Sequence, residues 1–154
     1  MNLLLVQHGQ ANTEAQDPSR SLNAVGVESA EKVAKYLYMS GVEVSEIRHS
    51  GKRRAEQTAS IFAKHLSPRQ GVTATSGLNP MDDVSRVANE LRGLAGPLML
   101  VGHLPFMSRL TGLLVAGDPE CQVVRFQNAG VVCLCDYKGQ WNVEWIVVPS
   151  IVKE

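Results

Sequence analysis

The chain has 154 residues, with 15 Lys+Arg balanced by 15 Asp+Glu and a hydrophobic content of 44%. A chain of this size suits one domain with a substantial core, and its mean hydropathy of −0.06 is ordinary for a globular protein. The balanced charge supplies no net field to recruit nucleic acid or an anionic membrane, so any anion-binding surface must be local.

Taken in chain order, residues 3–6 form a short apolar run, too short and too poor in flanking basic residues for a signal peptide. No stretch approaches the roughly 20 apolar residues of a membrane span. The run, cut off by a polar break, reads as a buried parallel strand. From Gly26 the pattern turns helical, with Val27, Ala30, Val33, Ala34, Leu37 and Tyr38 expected on the inner face and Gly41 ending the helix. Residues 44–49 read as a second strand. Residues 54–66 read as a helix burying Ala55, Thr58, Ala59, Phe62 and Leu66.

A third helix is expected from about residue 83 to 94, capped by Asp82 or Asp83, before Gly96 and Pro97 break the chain. Residues 98–101 are wholly apolar and strand-like, and a helix with Pro105 in its first turn follows. In the last third, residues 122–126, 131–137 and 141–148 read as strands, with turns at 128–130 and 138–139. Cys121, Cys133 and Cys135 are odd in number and lack CxxC spacing. They read as small apolar residues of a reduced, cytoplasmic protein rather than as a metal site or disulfide.

Strands alternating with helices imply an α/β fold, a three-layer α/β/α sandwich whose mostly parallel central sheet has an antiparallel margin. In such sheets ligands bind beyond the carboxyl ends of the strands. Those ends carry Gln7-His8-Gly9, His49-Ser50 leading to Arg54, and Gly102-His103-Leu104-Pro105. Two histidines and an arginine on one rim suit phosphoryl transfer. A neutral imidazole is a competent nucleophile towards phosphorus. Fixed cationic donors stabilise the charge on the equatorial oxygens, and an arginine offers them a planar fork. His103, if protonated, adds a second cation. Gly9 removes a Cβ from the backbone beside the ligand, and a helix opening at Pro105 brings free N–H groups close to His103 and Leu104.

These residues resemble the motifs of the histidine phosphatase superfamily, in particular its short, SixA-type phosphohistidine phosphatases with a phosphoglycerate-mutase-like fold. The opening strand with His8-Gly9 is similar to the family's Arg-His-Gly signature. Ser21-Leu22-Asn23 with Gly26 resembles its Leu-Thr-x-x-Gly helix entry. SGKRRAEQT, from Ser50 to Thr58, resembles Ser-Pro-x-x-Arg-Ala-x-Gln-Thr, Leu78-Asn79-Pro80 resembles Leu-Thr-Pro, and GHLP matches the second histidine motif. The resemblance covers nearly the whole chain. It implies one histidine phosphatase domain over residues 1–154, in which His8 is the phosphorylated nucleophile while Arg54 and His103 bind phosphoryl oxygens, with no metal or organic cofactor. The implied partner is a phosphorylated protein carrying phosphohistidine, or a small phosphoester.

Gln7, Gly9, Ser50 and Leu104 are the further candidate phosphate-binding positions, and Arg20 is a candidate substrate-loop residue. Larger relatives use a Glu or Asp to protonate the leaving group. Asp82 and Asp83 are the nearest equivalents, although capping accounts for them; Glu14 and Asp17 read as solvated, His49 and His65 as structural or exposed, and Asn128 as a turn residue that could approach the pocket, although the turn suffices to explain it. The departure from the family pattern is Gln7, where an arginine is expected. A neutral amide supplies no charge and no fork, a loss of order 2–4 kcal/mol to a phosphoryl transition state. Lys52 or Arg53 could compensate, but a helix turns Arg53 about 100° away from Arg54. Two functions follow: a phosphatase, or a weakened member of the same fold that only binds phosphate.

Overall fold

The computed structural model describes residues 1–153. Its elements run β1 (Asn2–Gln7), α1 (Ala24–Met39), β2 (Glu46–His49), α2 (Arg53–Leu66), β3 (Val72–Ala74), α3 (Val84–Glu90), β4 (Leu98–Gly102), α4 (Phe106–Ala116), β5 (Val131–Tyr137) and β6 (Gln140–Val147). One six-stranded sheet has the order β3-β2-β4-β1-β5-β6. Pairings from β3 across to β1 are parallel, whereas β1–β5 and β5–β6 are antiparallel. The expected architecture is therefore present, margin included.

Alternation along the central strands explains the three layers. Leu4, Val6, Met99, Val101, Val131 and Cys133 face a core shared with Ala30, Val33 and Leu37 of α1 and Ala55, Ala59 and Phe62 of α2. Leu3, Leu5, Leu98, Leu100, Val132 and Leu134 face the opposite core, closed by Val84 and Val87 of α3 and Phe106, Met107 and Leu110 of α4. Both faces of β1 and β4 are covered, which is why those strands read as continuous apolar runs. Burial pushes the Cys133 thiol up to about 12, so it remains protonated and serves as core packing. Among the described residues, no helix is long and apolar enough to cross a membrane.

Helix boundaries follow local chemistry. Asn23 caps α1 by accepting from the Gly26 amide at 2.9 Å, and Asp83 caps α3 by accepting from Ser85 at 2.9 Å. Gly117 closes α4 in the left-handed region at φ 71°.

Several sequence expectations need correction. The inner face of α1 is Gly26, Ala30, Val33, Ala34 and Leu37. Val27 and Tyr38 lie one helical step round from it and are 40% and 60% exposed. Residues 122–126 form no strand. Val124 and Phe126 are buried, as alternation suggests, but β4 and β5 already flank β1 and the segment packs without joining the ladder. β3 went unread because it has three residues, all exposed. The third helix ends at Glu90, and Leu91–Gly93 continues as a single 3₁₀ turn. Pro105 sits at the N-cap of α4 rather than inside its first turn.

Candidate functional site

Parallel pairing puts the carboxyl ends of β1, β2 and β4 on one rim. Gln7 pairs with Gly102, and His49 with Val101, so His8, Ser50 and His103 follow at the same level. The His8 amide donates to the Gly102 carbonyl at 3.0 Å, tying the first strand end to the residue before His103. The rings of His8 and His103 are 5.1 Å apart between centroids and tilted by 54°. Ser50 Oγ lies 2.6 Å from His103 Nε2.

Geometry fixes the His8 tautomer. Nδ1 lies 2.7 Å from the Gly9 carbonyl. A carbonyl oxygen only accepts, so Nδ1 holds the proton and Nε2 keeps its lone pair in the neutral ring. Burial lowers the His8 pKa, assisted by the charges of Arg54 and Arg20 and opposed by the Gly9 bond. The ring is accordingly neutral at pH 7.

The helix carrying Arg54 is locked to the histidine loop by its own side chains. Thr58 Oγ1 donates to the Arg54 carbonyl at 2.8 Å and accepts from the Gly9 amide at 2.9 Å. Gln57 Oε1 accepts from the Leu22 amide at 2.7 Å, fixing the start of α1 beside the same loop. The motif block therefore has a mechanical reading: Arg54 faces the rim while Gln57 and Thr58 clamp what surrounds it.

Gly9 owes its identity to packing. A Cβ there would lie 2.9 Å from the Gly26 carbonyl oxygen, and a Cβ on Gly26 would lie 2.1 Å from that of Gln10. The two backbones touch, which brings the α1 entry against the His8 loop.

The charge state of His103 depends on what is bound beside it. Burial first, then the charges of His8, Arg54, Lys52 and Arg20, lower its pKa to about 3. It is neutral in the free protein, so any second imidazolium would require an anion to arrive first. Among the described residues, three buried side-chain N or O atoms have no hydrogen-bond partner: Gln7 Oε1, Arg54 Nε and His103 Nδ1. All three belong to this rim. Buried polar groups are normally satisfied, so their clustering marks a place built for a polar ligand.

Arg20 is brought to the rim as well: its charge acts on His8, Arg54 and His103 together. Its backbone is left-handed at φ 49°, and its Nε donates to the Asn12 carbonyl at 3.2 Å. Asp17 holds the loop, accepting from the amides of Ser19 at 3.0 Å and Ser21 at 3.1 Å. Both serine hydroxyls also donate to it, and these bonds lower its pKa to about 2. Leu104, next to His103, is 40% exposed on the rim. Arg53 turns away to pair with Glu56 at 3.0 Å.

Asn128, read from the sequence as a turn residue, reaches the site too. Its Nδ2 donates to the His8 carbonyl at 2.9 Å, and the Ala129 amide donates to the Gln7 carbonyl at 2.9 Å. Turn chemistry gave no signal for this contact. His49 and His65 are structural, as expected. His49 Nδ1 accepts from the Gly51 amide at 3.1 Å, and His65 Nε2 bonds Glu31 at 2.5 Å.

Comparison with known proteins bears on the family and the fold. The family description "Histidine phosphatase superfamily (branch 1)" matches residues 3–83, just over half of the chain. Phosphohistidine phosphatase SixA of Escherichia coli (strain K12) is 25% identical over 158 residues, spanning 99% of this chain and 97% of that protein. A structure of the protein histidine phosphatase SixA complexed with tungstate superposes with a TM-score of 0.85 at 25% identity, covering 97% of this chain and 98% of the other. The mycobacterial glucosyl-3-phosphoglycerate phosphatase in complex with VO3 shares the fold, with a TM-score of 0.75 at 16% identity over 94% of this chain and 97% of that one. With His8, Arg54 and His103 on the rim where their motifs predict them, this chain belongs to the histidine phosphatase superfamily, branch 1, and is SixA-like over its whole length.

Proposed function

We propose that this protein is a phosphohistidine phosphatase, moving a phosphoryl group from a protein phosphohistidine to His8 Nε2 and then to water. The observation that carries the reading is the His8–Gly9 bond of 2.7 Å, which leaves Nε2 unprotonated at the rim where Arg54 Nε and His103 Nδ1 lack partners. His8 is the nucleophile, and Arg54 and His103 hold the phosphoryl oxygens. Gln7 and the Leu104 backbone flank the phosphoryl group, while Gly9 and Ser50, bonded to His8, Thr58 and His103, hold the two rings in place around it. Arg20 approaches the substrate from its loop. No step needs a metal or organic cofactor. The likeness to SixA across 99% of the chain supports a protein-borne substrate, as does exposed Leu104 beside His103, an apolar contact for a docking protein surface.

The test is turnover of a phosphohistidine protein and of small phosphomonoesters, alongside His8→Ala and acid-labile phosphate trapping. Loss of turnover and of labelled enzyme in His8→Ala is the expected result. Equal turnover by His8→Ala overturns the proposal. Retained inorganic phosphate binding with no phospho-enzyme in the unmodified protein would instead assign it the binding role.

A further inference from the structure

The rim holds cations and neutral groups, with every nearby carboxylate engaged elsewhere or exposed. The charged side chains acting on His8 and His103 are Arg20, Lys52 and Arg54. Asp17 is enclosed by the amides and hydroxyls of Ser19 and Ser21. Asp82 accepts from the Asn79 amide at 2.9 Å, and Asp83 from the Ser85 amide at 2.9 Å. Glu56 pairs with Arg53 at 3.0 Å, and Glu14 is exposed in its loop. The Ser50 hydroxyl is occupied by His103 at 2.6 Å, and His103 is neutral at pH 7. Among the described residues no carboxylate charge acts on His8 or His103, so no Asp or Glu is placed at the rim to hand a proton to a departing atom.

That arrangement selects substrates by their leaving group. In a loose phosphoryl-transfer transition state the leaving atom takes most of the bonding pair before the nucleophile has closed. An alkyl ester then departs as an alkoxide, whose conjugate acid is about as weak as water. Such a group needs a donor, and a positioned donor contributes about 10²–10⁴-fold. A phosphoimidazole protonated on its far ring nitrogen leaves as neutral imidazole and needs no further proton. An acyl phosphate leaves as a carboxylate, stable without a proton above pH of about 4. The cations at the rim also stabilise the emerging carboxylate.

We propose that this site hydrolyses acyl phosphates as a second substrate class. The proposal rests on His8 being the phosphoryl acceptor. The lone pair of His8 Nε2 forms the N–P bond while the acyl O–P bond breaks, its pair leaving on the carboxylate, and no proton moves. Water then attacks phosphorus, the P–Nε2 bond breaks, the pair returns to Nε2, and the proton of water passes to solvent. The products are a carboxylate and inorganic phosphate.

The experiment compares acetyl phosphate, phosphoramidate and methyl phosphate on the purified protein in ¹⁸O-water, with His8→Ala as the blank. Turnover of acetyl phosphate and phosphoramidate about 10³-fold above methyl phosphate, with label in inorganic phosphate and loss in His8→Ala, is expected. Turnover of phosphoramidate with acetyl phosphate at the blank rate overturns the acyl phosphate activity and leaves the phosphohistidine reading intact. Methyl phosphate turned over as fast as acetyl phosphate overturns the leaving-group argument. No turnover of any substrate, with no phospho-enzyme, overturns both.

Discussion

Ser50 and His103 meet across 53 residues of sequence, Oγ to Nε2 at 2.6 Å, at the ends of two adjacent parallel strands. The contact fixes the orientation of a ring that is only 2% exposed and leaves Nδ1 as its unpaired nitrogen. Ser50→Ala strands a second buried ring nitrogen, which costs about 1–3 kcal/mol. Urea denaturation should show that loss, together with a drop in kcat of about tenfold as the ring loses its orientation. Ser50→Thr, which keeps the hydroxyl, should recover most of the rate. Unchanged stability and rate in Ser50→Ala would remove Ser50 from the site.

The two histidines set the pH behaviour. His8 acts as the neutral ring and its pKa is lowered by burial, so kcat/KM should stay on its plateau below pH 6.5 and fall only at lower pH. Stability moves the same way. The folded His103 has a pKa of about 3, whereas an unfolded histidine titrates near about 6.5. Between those values the unfolded chain binds a proton that the folded chain does not, so stability is full above about pH 6.5 and declines towards pH 3. His103→Gln should flatten this slope in denaturation midpoints measured across the window.

Arg20 supplies charge where Gln7 does not. Gln7 Oε1 is buried without a partner, while Arg20 acts on His8, Arg54 and His103 at once. Arg20→Ala should lower kcat/KM by about 10²–10³-fold, the effect of losing one donor to the transferring group. Gln7→Arg should raise the rate and blunt the Arg20→Ala defect. A double-mutant cycle with no coupling would show that the two positions serve different parts of the substrate.

The contact between Gly9 and Gly26 leaves no room for a methyl group. In Gly26→Ala the new Cβ would stand 2.1 Å from the Gln10 carbonyl oxygen, and both partners are backbone. The strand-end loop or the start of α1 must move, at a cost of about 1–3 kcal/mol. Thermal denaturation should show that loss, and the labelled phospho-enzyme should decline further than folding alone explains, because His8 rides on the displaced loop.

The sheet was legible where burial is two-sided, because β1 and β4 are apolar at every inner position and β5 at its first four. It was illegible at β3, whose three exposed residues have no burial to pattern them. Residues 122–126 misled because alternation records burial and not pairing; Val124 and Phe126 are buried without a ladder. His8, Arg54 and His103 stood at strand ends and could be found from topology alone. Asn128 could be raised from its place before β5, but not its partner, which is 120 residues away and which a local turn gave no reason to seek. The Gln57 and Thr58 contacts were hidden likewise, as both bond backbone on the far side of the site.

The reach of Asn128 and Ala129 back to the first strand end bears on how the protein is made. On the ribosome His8 emerges well before Asn128, which clamps its carbonyl, and before β5, which pairs with β1. His103 and β4, which β1 needs as a neighbour, also come late. A nascent chain therefore carries the His8 imidazole in an unassembled setting until those segments follow. The rim is assembled only once residues 98–137 have emerged and folded back beside β1.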